Sequence, residues 1–328
     1  MTEEAMEAAP LKPVDEERPT WAEVWPALAA YGFSALAYGP AAWWLMQRTT
    51  AHNQLLHAFF VLVLAGFLLI TEKRSRWRPA LMFDRLAQLS LTIALGFLAL
   101  GMILSNGLLL FPGLVALAGS LMRFIFGNKS RQIGRGLLAA FAVFATLALL
   151  MPLFDWPLRA LAGQSSGWLL GLIGKDTTLQ LAQQGGTPML ILSVDGFPFH
   201  VAPECNGFGV ITASLLLSTL LVISLRLRWL DRFLLVALSG VAGFVFNFLR
   251  IFIIVLLAPA VGMDNYHVMH ETVGVITYYG CLVLLWWFIR GYQKPPQPPK
   301  PELQAGYDAN SPGGKPRHRS GNSVDGIV

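Results

Sequence analysis

Three side chains of complementary chemistry stand in order along the second half of the chain. They are Cys205 in Ala202-Pro203-Glu204-Cys205-Asn206-Gly207-Phe208, Arg250 in Asn247-Phe248-Leu249-Arg250, and His270 in His270-Glu271-Thr272-Val273-Gly274. A free thiol, with a pKa of about 8.5, is a poor nucleophile near neutral pH until a base takes its proton. A histidine can take that proton and return it to a leaving amine. A fixed guanidinium can stabilise a thiolate, the oxyanion of a tetrahedral intermediate or a substrate carboxylate. Asn247 lies one helical turn before Arg250 and on the same face, where it can hold the guanidinium or donate to an oxyanion. Glu204, Asn206 and Glu271 flank the set and are candidate supporting or substrate-binding residues. His267, three residues before His270, is a rival for the base. Taken singly each residue has a plainer reading: Cys205 as packing, Arg250 as a snorkelling cation, His270 as an interfacial histidine.

What must position these residues is a membrane fold. Of the 328 residues 55% are hydrophobic and 13% charged, with a mean hydropathy of +0.55, whereas soluble domains are nearer a quarter charged. The net charge of +5 does not indicate nucleic acid, because the cations punctuate apolar runs instead of clustering on a soluble domain. About 20 apolar residues cross a bilayer. On that measure eight segments are expected, at 25–46, 54–71, 86–104, 107–126, 136–154, 205–225, 232–258 and 268–290. Ser105-Asn106-Gly107 reads as a tight turn between the third and fourth. The polar, acidic start lacks the basic and apolar regions of a cleavable signal peptide, so the first segment is expected to remain as an anchor. The expected organisation is an N-terminal segment 1–24, an all-α polytopic catalytic domain 25–292 and a Pro-rich disordered tail 293–328.

Loop charges orient the segments. Lys73, Arg74, Arg76, Arg78, Arg85, Lys129, Arg131, Arg135, Arg226, Arg228 and Arg232 lie on one side, against Arg48, Arg159 and Lys175 on the other. Eleven against three predicts that both termini are cytoplasmic. Arg250 lies 18 residues beyond Arg232, a rise of about 27 Å, which brings it to the outer level of Cys205 and His270. Cys281 lies 11 residues into the eighth segment, about 16 Å below His270, and reads as packing. The long outer loop 155–204 is expected to hold a short interfacial helix at Trp168–Ile173. A small hairpin should follow: Met189–Val194, an Asp195-Gly196 turn and a return strand Phe197–Val201, kept at an edge by Pro198.

The ordered set Glu204-Cys205-Asn206-Gly207, Asn247-x-x-Arg250 and His270-x-x-x-Gly274, with the lead-in from Val194 to Pro203, resembles the exosortase/archaeosortase family of membrane protein-sorting enzymes over about residues 25–292. The resemblance implies a cysteine peptidase or transpeptidase of the plasma membrane, with its active site on the outer face and with catalytic Cys205, Arg250 and His270. It needs no metal or other cofactor. Its implied partners are exported proteins ending in a short motif, a helix and a basic tail, with a membrane lipid or surface polysaccharide as acceptor. Asn206 stands where the family more usually has Ser, and Glu204 where a small residue is frequent, which implies a subfamily with its own recognition motif.

Two other classes make different demands on the sequence. A transporter or channel lined by Arg250, His270 and Glu271 predicts mid-membrane charges in several helices, and segments one to five are nearly free of them. A metal or haem site on His267 and His270 has suitable spacing but no convincing further ligands.

Overall fold

A helix that is apolar on every face belongs in the interior of a bundle. Phe208–Ser224, with Leu215, Leu216, Leu217, Leu220, Leu221, Val222 and Ile223 around its whole circumference, is such a helix. In the computed structural model, which describes residues 21–72, 81, 83–127, 131–184, 187–225, 227–262 and 265–291, it is the central element. Its apolar window is 78% buried, whereas the windows of the other long helices are only 22–28% buried. The chain runs α1 (Trp21–Ala37), α2 (Gly39–Ala51), α3 (Asn53–Glu72), α4 (Arg85–Ile103), α5 (Leu110–Phe126), α6 (Arg131–Leu172), β1 (Thr177–Gln184), β2 (Thr187–Val194), β3 (Phe197–His200), α7 (Phe208–Ser224), α8 (Trp229–Val261) and α9 (Tyr266–Gly291). Helices α3, α6, α8 and α9 all pack on α7.

Among the described residues six helices are long and apolar enough to cross a membrane, or seven if the bent pair α2 and α3 is one span. The eight expected segments thus all fall on helices, but the first is broken. Gly39-Pro40 ends α1 at Tyr38, since proline supplies no N–H to continue the helix and restricts the residue before it. The chain then turns through 112° between α2 and α3 at His52. At 17 residues α1 is a shorter apolar helix. The Ser105-Asn106-Gly107 turn joins α4 to a 3-10 turn at Gly107–Leu109, with Asn106 Oδ1 accepting from Leu108 N–H at 3.0 Å. Helices α4 and α5 are held side by side by Ser120, whose Oγ donates to Ala87 O at 2.7 Å and meets Tyr31 Oη at 2.7 Å. The ion pair Asp84–Arg123 closes their far end.

The loop expected after residue 154 is a second correction. Helix α6 does not stop there but runs 42 residues, about 63 Å at 1.5 Å per residue, roughly twice the thickness of a bilayer core. The helix continues through Pro152 and Pro157, as a membrane helix tolerates proline where neighbours satisfy the freed groups. The residues expected as a separate interfacial helix, Trp168–Leu172, are the last turns of α6.

This extension carries the sheet. The strands form one antiparallel sheet in the order β1-β2-β3. Met189–Val194 lies in β2 and Phe197–His200 forms β3, joined through Asp195 (φ 51°) and Gly196 (φ 83°), both left-handed as a type I′ turn requires. Lys175 donates to the Asp195 carboxylate at 2.7 Å and, with the Asp176 N–H at 3.0 Å, holds that carboxyl below its ordinary range. Strand β1 was not expected: Thr177-Thr178-Leu179-Gln180-Leu181-Ala182-Gln183-Gln184 alternates weakly and is more polar than a half-buried strand usually is. Gly163 and Gly167 of α6 let Leu179, Leu190 and Leu192 approach closely; a Cβ at Gly163 would stand 3.1 Å from Leu179 and one at Gly167 3.2 Å from Leu192. Leu190, Leu192, Val194 and Val201 thereby join Ala162 and Leu170 of α6 and Ile251 and Val255 of α8 in one apolar cluster. The segment 1–20, the tail 292–328 and the loop cations Lys73, Arg74, Arg76, Arg78, Lys129 and Arg226 lie outside the described residues.

Candidate active site

The site is built around the seven residues that join β3 to α7. Pro203–Cys205 forms a 3-10 turn, with Cys205 N–H donating to Ala202 O at 2.9 Å. Asn206 then accepts the Phe208 N–H on Oδ1 at 2.8 Å, satisfying one of the amides that a helix start leaves free. Its Nδ2 donates to Asp155 Oδ1 at 2.6 Å. Asn206 is fully buried, and Asp155 is itself clamped by Arg159 one turn along α6. Gly207 has φ 78°, and a Cβ there would fall 2.6 Å from Asn247 Cγ. Both the backbone conformation and the space therefore require glycine at this position.

Helix α8 grips the turn from the other side. Asn247, 1% exposed, donates Nδ2 to Cys205 O at 2.8 Å, and Arg250 Nη1 reaches Glu204 O at 3.4 Å. The three-residue spacing puts both donors on one face of α8. Asn247 Oδ1 and Arg250 Nε are buried without a hydrogen-bond partner. From α9, His270 Nε2 stands 3.7 Å from Cys205 Sγ. One turn on, Gly274 leaves room for the guanidinium; a Cβ there would be 3.0 Å from Nη2, 3.1 Å from Cζ and 3.2 Å from Nε of Arg250. The His-x-x-x-Gly spacing thus sets an imidazole and a gap for a cation on one face of one helix.

The candidates taken from the sequence divide cleanly. Cys205, Arg250, His270, Asn247 and Asn206 come together, with Glu204 present through its backbone carbonyl while its residue is exposed. Glu271 and His267 do not join them: they pair with each other at 3.6 Å on the exposed side of α9, with His267 82% and Glu271 68% exposed. Neither orients His270 nor meets Arg250. Among the described residues no group of three or more His, Cys, Asp and Glu side chains is arranged to hold a metal ion. Cys281 is fully buried beside Val210 and Leu285, with its Sγ 3.5 Å from Ser214 Oγ, and both cysteines are free thiols.

Five further residues were not found from the sequence. Gln54, at the start of α3, donates Nε2 to Pro203 O at 2.7 Å and leaves Oε1 buried without a partner. Asp155 and Arg159 were legible as an i, i+4 ion pair, but only if residue 155 was recognised as helical. Tyr266 and His200 line the cleft over the thiol with Leu192, Phe199, Ile251 and His270. That cleft holds about 20 Å³, room for one water or a reacting carbonyl.

The arrangement is a thiol with a base in reach, beneath a small and mostly apolar cleft, with a guanidinium held against the carbonyl of the preceding residue. Compared with known families, the chain matches the family model of transmembrane exosortases over residues 43–287. No curated protein and no solved structure matches it.

Proposed function

The chain belongs to the transmembrane exosortase family, and from that premise we propose that this multi-pass membrane protein cleaves the C-terminal sorting signal of exported proteins with Cys205 as nucleophile and transfers the new C-terminus to an acceptor. The observation that carries the reading is the 3.7 Å approach of His270 Nε2 to Cys205 Sγ.

In this mechanism His270 takes the thiol proton as Sγ attacks the scissile carbonyl carbon. The carbonyl oxygen becomes an oxyanion and is stabilised by the Arg250 guanidinium, whose Nη1 lies 3.4 Å from Glu204 O in the turn that carries the thiol. Leu192, Ile251 and Val255 give the cleft over the thiol apolar walls, and a water-poor surrounding strengthens charge interactions at the reacting carbonyl. When the intermediate collapses, the C–N bond breaks and His270 gives its proton to the leaving amine. The new C-terminus remains as a thioester on Cys205. An acceptor nucleophile, deprotonated by His270, then attacks the thioester and releases the thiol. Asn247 keeps the Cys205 carbonyl fixed and so orients the nucleophile.

In this reading the site lies on the outer face with both termini inside, which the eleven loop cations on one side against three on the other support. A membrane lipid or surface polysaccharide is then a suitable acceptor, since both are reachable from that face. The test is a host making a tagged exported protein with a C-terminal helix and basic tail. Cys205→Ala, Arg250→Ala and His270→Ala should each abolish its processing, while His267→Ala should not. Normal processing by the Cys205→Ala variant would overturn the proposal.

A further inference from the structure

Strand β3 uses its backbone on one side only. The bond from Val201 N–H to Leu190 O, 2.9 Å, fixes the phase of the ladder. In an antiparallel pair, residues that exchange both hydrogen bonds alternate with residues that exchange none. With the register Ile191↔His200, Leu192↔Phe199, Ser193↔Pro198 and Val194↔Phe197, Val201, Phe199 and Phe197 bond to β2. Pro198 and His200 therefore direct their main-chain groups outward. Proline has no N–H to lose there, which is why an edge position accepts it. The outward His200 O is taken by Ala202 N–H at 3.1 Å. The free groups of this edge are thus the Pro198 carbonyl and the His200 N–H.

This edge leads to the nucleophile. Cys205 follows His200 by five residues, and Phe199, His200 and Val201 line the same cleft as Cys205, Tyr266 and His270. The cleft is too small for a side chain, so a polypeptide presenting a carbonyl to Sγ must keep the rest of its chain outside. An extended segment lying along β3 meets that condition. It accepts one bond from His200 N–H and donates one to Pro198 O, the mode of recognition in which a peptide adds a strand to an open sheet edge. With a single donor, the edge offers little to a second copy of itself.

We propose that the free edge of β3, through Pro198 O and His200 N–H, docks the extended segment of the exported polypeptide around its scissile bond. The inference rests on the peptidase reading above and gives that site a means of holding its substrate independent of side-chain sequence.

His200→Pro removes the donor, uses a backbone angle that a strand edge allows, and breaks no bond within the sheet, whereas His200→Ala keeps the N–H. The initial rate of processing of the tagged exported protein, followed by pulse-chase, should be about five- to tenfold lower in His200→Pro than in His200→Ala, the effect of one lost backbone bond. Alkylation of Cys205 by iodoacetamide, read on its own peptide by mass spectrometry, should proceed at the same rate in both. Equal processing by the two variants overturns the proposal. If alkylation also slows in His200→Pro, a benzoylphenylalanine photocrosslinker in place of Phe197, which is 67% exposed, decides the matter in a Cys205→Ala background. A cross-link to the exported protein supports the docking edge; a cross-link only to another copy of the chain, or none, overturns it. Processing that survives Cys205→Ala would instead overturn the underlying peptidase reading, so the two failures are distinguishable.

Discussion

Gly274 lies against the guanidinium of Arg250, so closely that a Cβ on Gly274 would stand 3.0 Å from Nη2. The neighbour that must give way is the end of a flexible side chain, not backbone. Gly274→Ala should therefore fold with little loss of thermal stability while displacing the guanidinium from the carbonyl of Glu204. Processing should fall by about tenfold or more, in line with the loss of an oxyanion donor. Unchanged processing with normal membrane levels would show that Arg250 has no positional role.

Gly207 makes the opposite prediction. Its φ of 78° and the 2.6 Å approach of Asn247 Cγ leave no room for relaxation. Gly207→Ala should cost at least about 1–2 kcal/mol from the left-handed backbone alone, and it should lower both the melting temperature in detergent and the yield. A variant as stable as the parent would mean that the turn can open without penalty.

Asn206 joins Asp155 of α6 to the first turn of α7. Asn206→Ala leaves the buried Phe208 N–H without its acceptor and should destabilise by about 1–3 kcal/mol. Asn206→Ser restores an oxygen near that amide but cannot span to Asp155. Its processing rate should lie between those of the parent and Asn206→Ala. If serine is no better than alanine, the Phe208 amide is not what Asn206 serves.

The hairpin turn carries a pH dependence of its own. Asp195 has its pKa lowered on folding by Lys175, so its contribution is present above the unfolded value of about 4 and is lost as pH falls through the lower, folded value. Hydrogen-exchange protection of β2 and β3, corrected for intrinsic rates, should be level above about pH 4 and decline below it. Asp195→Asn retains a residue suited to the left-handed turn and should abolish the decline. Persistence of the decline in that variant would assign it to another group.

His267 is 82% exposed on α9. If the site faces outward, His267→Cys should react with a membrane-impermeant maleimide in intact cells. Reaction only after permeabilisation would reverse the orientation inferred from the loop cations.

The spacing of the motifs carried most of the site. Asn247 and Arg250 share a face because they are three apart on α8, and His270 and Gly274 because they are four apart on α9; both relations follow from the helical repeat. The spacing to Gly274 favours His270 over His267 as the base, and the rotation of α9 turns His270 towards Cys205 and His267 to the exposed side. Asp155, Arg159 and Gln54 escaped for a different reason. Hydropathy marks where apolar residues end, not where a helix ends, so it stops α6 at 154 and gives the later turns the character of a loop. Gln54 sits at the sharp bend between α2 and α3, where polarity reads as a boundary, and its partner, the Pro203 carbonyl, is 149 positions away. The break at Tyr38 was written in Gly39-Pro40 but was outweighed by the apolar run around it.

The unbroken course of α6 has a consequence for what is cut. One helix anchors in the apolar bundle, holds Asp155 level with the turn that carries the thiol, and continues through Leu172 beneath the sheet. The sheet and the turn that bears the nucleophile are therefore both tied to a single rod, which can serve as a ruler. Under the function proposed here, the bond to be cleaved is selected by its distance from the membrane as much as by its neighbours. Lengthening the stretch between a substrate's anchor helix and its recognition motif should move the motif off the ruler even though every residue of the motif is retained.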